Sequence, residues 1–217
     1  MIYKLLILPI LQLINPEVSH FFAEKLLQVP FFRYFNPISY FSKNKNITIN
    51  VMDIDFDTPI GLAAGYDKNC KTLGSLLSLG FGFITGGTIT LQKRFGNPRP
   101  RLFHLPEKKS LINSLGFPSI GLKNVEKNLD SKSKIKNKLF LSVSGISEDE
   151  IISCIKTLDI YTNIFEINIS SPNTSGLRLF HNPSELSKLI EKIKKSTHNR
   201  ILIKLPPWSE DFKENHL

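Results

Sequence analysis

The stretch FEINISSPNTSGLR, residues 165–178, ends an alternating apolar run at Asn168 and breaks into two serines, a proline, an asparagine and a threonine. Small side chains that donate and accept hydrogen bonds, crowded at the mouth of a buried strand, suit two roles. One is a polar turn, since Ser, Asn and Pro are ordinary turn formers; the other is a rim that grips a polar ligand. Parity inside the neighbouring strands bears on the choice. In 164–169, Phe165, Ile167 and Ile169 share one face, and Glu166 and Asn168 share the other. In 201–205, Ile201, Ile203 and Leu205 share a face, leaving Leu202 and Lys204 opposite. A carboxylate, an amide and an ammonium on inward-facing positions are costly unless something polar meets them. An exposed edge strand is the other place for Lys204.

Positioning these groups requires strands that end together. Past Ser42, ITINVMDIDFD reads as two short strands around a turn, a hairpin. Strand and helix signals then alternate. IGLAAG, FGFITGGTIT, KLFLSVS, IFEINIS and RILIKL read as strands; CKTLGSLLSLG, IGLKNVEKNL, SEDEIISCIKTL and NPSELSKLIEKI read as helices. Ser147 with Glu150, and Asn182 with Glu185, have capping-box spacing, and WSEDFKENHL reads as the opening turns of a further helix. The segment from Leu91 to Ser119 carries four prolines and no sustained period, and is expected to be a long functional loop. Alternation of this kind predicts a parallel sheet with helices outside. In a barrel of such units, active sites sit at the C-terminal rim.

The chain has 217 residues, enough for one substantial core, and its 41% hydrophobic and 22% charged content is that of a globular protein. A net charge of +9 favours anionic partners. The lysines nevertheless scatter over helix-like stretches without interleaved aromatics, so nucleic acid is not expected. Cys70 and Cys154 are too few and too distant for a disulfide scaffold. The histidines, at 20, 104, 181, 198 and 216, show no metal-ligand pairing, and no metal is expected. Without a secretion signal, the Asn-x-Ser/Thr triplets at Asn46, Asn168 and Asn173 read as chance. The first apolar run falls short of the roughly 20 residues of a spanning helix. Asn15 and Pro16 then look like the cap and first residue of a second helix, followed by the aromatic VPFFRYFNPISYF. These segments suit either a hydrophobic subdomain packed on the core or a membrane-interface element.

GLAAGYDKN (61–69), GFGFITGGTIT (80–90), NPRPRLF (97–103), INSLGF (112–117) and INISSPNTSGLR (167–178), with ILIKLPP following, resemble dihydroorotate dehydrogenase in order and spacing. NPEVSHFFAEKLLQ resembles the N-terminal extension of the quinone-linked, membrane-associated class. The resemblance implies a (β/α)8 TIM barrel holding FMN at its C-terminal rim and oxidising dihydroorotate to orotate in pyrimidine synthesis, with a membrane quinone as final acceptor. It implies a helical, apolar, membrane- and quinone-associated extension over residues 1–42 and a partial FMN-binding barrel over 43–217. It also implies a peripheral protein on the cytoplasmic side of the cell membrane.

Residue by residue, the resemblance makes Ser171 the general base, where the fumarate-linked class has cysteine. An alcohol needs a positioned relay for that role. Ala64, Gly65, Tyr66, Asp67 and Lys68 match the flavin loop, and Lys68 also reaches substrate. Thr88, Asn168 and Lys204 match flavin contacts, Lys204 as the charge beside the reduced ring. Asn113, Ser114, Leu115, Gly116 and Phe117 match the substrate loop, with Asn168 and Asn173 completing its amide ring. Ser142 stands where the family often has a flavin-binding Asn.

Signals for five strands of the eight, against about 250 residues for a whole barrel, give the expectation of a fragment with open edges that binds FMN weakly and aggregates. A partner supplying the remainder is the alternative. Two rival functions stay open: another FMN-dependent dihydropyrimidine oxidoreductase, and a catalytically incompetent, membrane-binding remnant.

Overall fold

The structure, a computed structural model, describes residues 5, 8–29, 47–108, 110–130, 134–170 and 179–206. The aromatic stretch after Val29, the helical start after Pro206, and Ser171 and Asn173 therefore lie outside the described residues.

Two helices come first, α1 (Leu8–Leu13) and α2 (Pro16–Leu27). Asn15 caps α2 as the sequence predicts: its Oδ1 accepts from Glu17 N–H at 2.9 Å, and Pro16 takes the first helical place. Neither helix buries a residue fully, and no described helix is long and apolar enough to cross a membrane. Strands β1 (Ile49–Val51) and β2 (Ile54–Phe56) form the expected hairpin, with Val51 opposite Ile54. Met52 and Asp53 between them both have positive φ, 55° and 56°, the geometry of a type I′ turn that matches strand twist.

The main sheet follows. Its elements are β3 (Gly61–Leu62), α3 (Leu73–Ser78), β4 (Phe83–Thr90), β5 (Leu102–Leu105), β6 (Ser110–Asn113), α4 (Leu122–Glu126), β7 (Leu139–Ser144), α5 (Glu148–Leu158), β8 (Ile164–Asn168), α6 (Pro183–Ser196) and β9 (Arg200–Lys204). Strands β3, β4, β7, β8 and β9 lie side by side in that order, all parallel. The segment from Leu91 to Ser119 corrects the expectation of a loop without regular structure. It folds β5 and β6 into an antiparallel hairpin, Phe103 opposite Ile112 and His104 opposite Leu111. All of β6 is exposed, so no apolar alternation marks it.

The caps hold with two differences. Ser147 Oγ accepts from Glu150 N–H at 3.3 Å, but the Glu150 carboxylate reaches back to Ile146 N–H instead of closing on Ser147. Asn182 Oδ1 caps Ser184 N–H at 2.9 Å, while Glu185 pairs with Lys188 at 2.6 Å and leaves that box open.

The two faces of the sheet differ in kind. Leu139, Leu141, Val143, Phe165 and Ile167 point to one side, where they pack on Val125, Ile151, Ile155, Leu158, Leu189 and Ile193 of the helices. Each fully buried large side chain there contributes about 1.5–3 kcal/mol. The other side is divided along the strands. Near the strand starts, Phe83, Phe140, Ile164 and Leu202 form an apolar layer closed by Ile54 and Phe56 of the hairpin. Phe83 stacks on Phe140 with centroids 4.6 Å apart, and Phe56 meets both edge-on. Two residues further along, the same face turns polar.

Candidate functional site

The inward parity that continues from Phe140 and Ile164 reaches Ser142, Glu166 and Asn168. A register shift in β4 between Gly86 and Ile89 brings Thr88 into line with them. The side chains join in a chain. Asn168 Nδ2–H donates to Thr88 Oγ1 at 2.7 Å, Thr88 Oγ1 and Ser142 Oγ are 3.0 Å apart, and Ser142 Oγ–H donates to Glu166 Oε1 at 2.7 Å. With Ser142 committed to Glu166, the proton between the hydroxyls belongs to Thr88. Asn168 is fixed from its other end, since its Oδ1 accepts from Ser170 N–H and Oγ–H at 3.1 and 2.7 Å. The amide nitrogen therefore faces Thr88, and two of the inward polar groups that parity exposed, Glu166 and Asn168, each have a partner.

Above this chain, at the C-terminal ends of the strands, opens a cavity of about 820 Å³. Ala64, Gly65, Lys68, Thr88, Asn168 and Lys204 line it from the strand ends, and Asn113 through Phe117 line it from the loop after β6. Gly65 has φ +112°, and a Cβ there would meet nothing within 4 Å, so the backbone itself presents a bare shelf. Gly116 has φ +70°, and a Cβ there would strike Asn97 Oδ1 at 2.6 Å. Lys68 Nζ donates to Gly65 O. Burial, reinforced by the Arg101 charge, lowers the Lys68 pKa from the ordinary lysine value.

Three residues expected at this site sit elsewhere. Asp67 is buried, and its carboxylate takes Lys71 N–H, Thr72 N–H and Thr72 Oγ1–H, so it fixes the turn into α3. Tyr66 faces a second cavity, and Ser142 lies fully buried behind Thr88. Sequence reasoning gave no role to Arg94, Asn97 or Ser170, which also line the large cavity. For Arg94 and Asn97 the signal was the irregular, proline-rich segment itself.

The second cavity, about 310 Å³, lies between α2 and the segments 66–69, 93–102 and 115–120, lined by His20, Phe21, Tyr66, Arg101 and Leu102 among others; Lys68 and Arg94 face both cavities. Ion pairs fasten α2 over it. Glu17 accepts from buried Arg101 at 2.9 Å and from Arg99 at 3.1 Å, and Glu24 pairs with Lys71 at 3.1 Å. Arg101 Nη1 also donates to Phe95 O and Asn97 O. The His20 ring lies 4.7 Å from Tyr66. Burial, then the Lys68 charge, lowers the His20 pKa, while burial raises that of Tyr66.

With this geometry in hand, comparison with known proteins is specific. The family profile described as Dihydroorotate dehydrogenase matches residues 46–217. Dihydroorotate dehydrogenase (quinone) of Nitrosomonas europaea is 35% identical over 202 residues, covering 89% of this chain and 57% of its own length. The protein of that name from Sulfurimonas denitrificans is 37% identical over 207 residues, covering 89% and 58%. The solved structure of ligand-free DHODH from Eimeria tenella superposes with a TM-score of 0.80 at 27% identity, covering 93% of this chain and 64% of that one. The chain thus spans a little over half the length of the curated relatives it matches.

Proposed function

The chain belongs to the dihydroorotate dehydrogenase family, and from that premise we propose that it serves the oxidation of dihydroorotate to orotate, with FMN as hydride acceptor and a quinone as final acceptor. One observation carries this reading: Lys68, Thr88, Asn113, Asn168 and Lys204, drawn from separate strand ends and loops, line a single hollow.

The residues fit a flavin. The bare shelf at Gly65 lets a flat ring approach the backbone. Thr88, with its proton turned to Ser142, offers the hollow a hydroxyl lone pair, and the Asn168 amide is held in one orientation. Gly65, Thr88, Asn168 and Lys204 would hold the ring. When bound, FMN supplies the hydride acceptor and passes the electrons onward.

The chain's own groups do the rest. The Lys68 ammonium faces the substrate carboxylate. Asn113 and Asn168 pair with the alternating carbonyl and N–H groups of the pyrimidine. Ser171 takes the proton from the carbon next to the one that loses hydride. Ser170, just before it, is tied to Asn168 Oδ1, which anchors the entry to that segment. Lys204 places positive charge where negative charge develops on reduction. The quinone ring enters the second cavity, whose lining shares Lys68, Arg94, Leu115 and Pro118 with the first. The exposed apolar side chains of α1 and α2, among them Leu13, Phe21, Phe22 and Leu26, meet lipid on the cytoplasmic side of the membrane.

A steady-state assay of orotate formation, with excess FMN and a short-chain quinone, tests the proposal. Turnover that requires both FMN and quinone, and that fumarate does not sustain, is the expected result. No orotate with any acceptor would overturn it.

A further inference from the structure

Glu166 does not line the large cavity, yet it ends the hydrogen-bond chain that reaches the cavity through Thr88. The sheet register decides its partner. Ser142 of β7 lies opposite it on one side and Leu202 of β9 on the other, so the half-buried carboxylate turns to the side that offers a hydroxyl. A carboxylate accepts and does not donate, whereas each hydroxyl in the chain can do both. Glu166 is therefore the member that gives the chain its direction.

Direction passes along one bond at a time. Ser142 gives its single proton to Glu166 Oε1 at 2.7 Å, so across the 3.0 Å to Thr88 it can only accept. Thr88 Oγ1 accepts from Asn168 Nδ2–H at 2.7 Å and gives its own proton to Ser142, which leaves it one lone pair. Thr88 lines the cavity, so that lone pair is what its hydroxyl has for a ligand. The Asn168 end is set independently, because its Oδ1 takes both Ser170 bonds and the amide cannot turn over. Without an acceptor at position 166 the Ser142 proton is free to swing to Thr88. The Thr88 proton then swings outward, and the cavity meets a donor where it had an acceptor.

We infer that Glu166 is a positioning residue of the cofactor site: by accepting the Ser142 proton it holds the Thr88 hydroxyl as an acceptor toward the large cavity, matched to the N–H of a ring imide. The inference deepens the proposed function and rests on it, because the oxidised flavin ring carries a single N–H, on its imide. Asn168, which also lines the cavity, keeps a second amide N–H for a carbonyl. Acceptor and donor side by side suit the adjacent N–H and C=O of that imide.

The test is titration of the full chain with FMN, followed by quenching of flavin fluorescence, which reads binding without turnover. Glu166→Leu is expected to weaken FMN binding roughly 3- to 10-fold, the range for one lost hydrogen bond. Glu166→Gln, whose amide oxygen accepts from Ser142 at the same reach, should recover most of the affinity. Ser142→Ala removes the acceptor that holds the Thr88 proton and should give a loss of the same size as Glu166→Leu. In a Thr88→Val background there is no hydroxyl to turn, and adding Glu166→Leu should change FMN affinity less than about 2-fold. If far-UV circular dichroism shows Glu166→Leu unfolded, Ser142→Ala alone and in the Thr88→Val background decides the matter in the same way. Equal loss in both backgrounds, no loss in either, or no recovery with Gln overturns the inference, while FMN binding by the wild type leaves the proposed function standing. A wild-type chain that takes up no FMN removes both.

Discussion

Replacing Ser142 with alanine tests whether the buried polar chain is a connected unit. Ser142 is fully buried and makes two hydrogen bonds, donating to Glu166 at 2.7 Å and facing Thr88 at 3.0 Å. Its loss strands the Thr88 proton in a site only 8% exposed, which costs about 1–3 kcal/mol as an unsatisfied buried donor. Glu166 is half-buried, so water replaces much of what it loses, and its share is about 1 kcal/mol at most. The expected total is about 1–4 kcal/mol, or roughly 2–16 °C in Tm for a chain of this size. Urea unfolding followed by circular dichroism should show the midpoint falling with m unchanged. Glu166→Ala strands the same network from its other end. The double variant should therefore cost less than the two singles together by at least about 1 kcal/mol. Additivity within about 0.5 kcal/mol would refute the connected chain.

Three further outcomes are expected. His20 has a lowered folded pKa, so the unfolded chain binds its proton first; stability should fall as pH drops from the ordinary histidine value, 6.5, through the folded one. His20→Gln should remove that part of the acid slope in a pH series of urea midpoints, and an unchanged slope would contradict the assignment. Phe140→Ala opens the aromatic layer beneath the site and should cost about 3–5 kcal/mol, whereas Phe103→Ala on the exposed face of the β5–β6 hairpin should stay within about 1 kcal/mol by the same denaturation assay. Cys70 and Cys154 are both buried, and burial raises both thiol pKa values, that of Cys154 to about 12. A thiol reagent should label neither in the native protein and both in denaturant.

Local pattern revealed the parts of the fold that local physics decides. Glu166, Asn168 and Lys204 share a face because strand side chains alternate, and the parity read in the sequence matches the register Asn168 opposite Lys204. The Asn15, Ser147 and Asn182 caps needed only neighbours two or three residues away. What stayed hidden depends on distant partners. The irregularity that sets Thr88 against Ser142 exists only through the pairing of β4 with β7. The second cavity is closed by Glu17 and Arg101, 84 positions apart, and no window of sequence contains both. AGYDK reads as one loop with one purpose. In the fold its residues diverge, Gly65 to the large cavity, Tyr66 to the second, Lys68 to both, and Asp67 to the turn before α3.

The most direct measurement is anaerobic mixing of the FMN-supplemented chain with dihydroorotate, and separately with dihydrouracil, while the visible flavin band is followed. Bleaching by dihydroorotate, restored on adding quinone and absent with dihydrouracil, is the predicted result. A flavin band that dihydroorotate leaves unchanged would contradict the claim that the hollow above Thr88 and Asn168 brings coenzyme and substrate together.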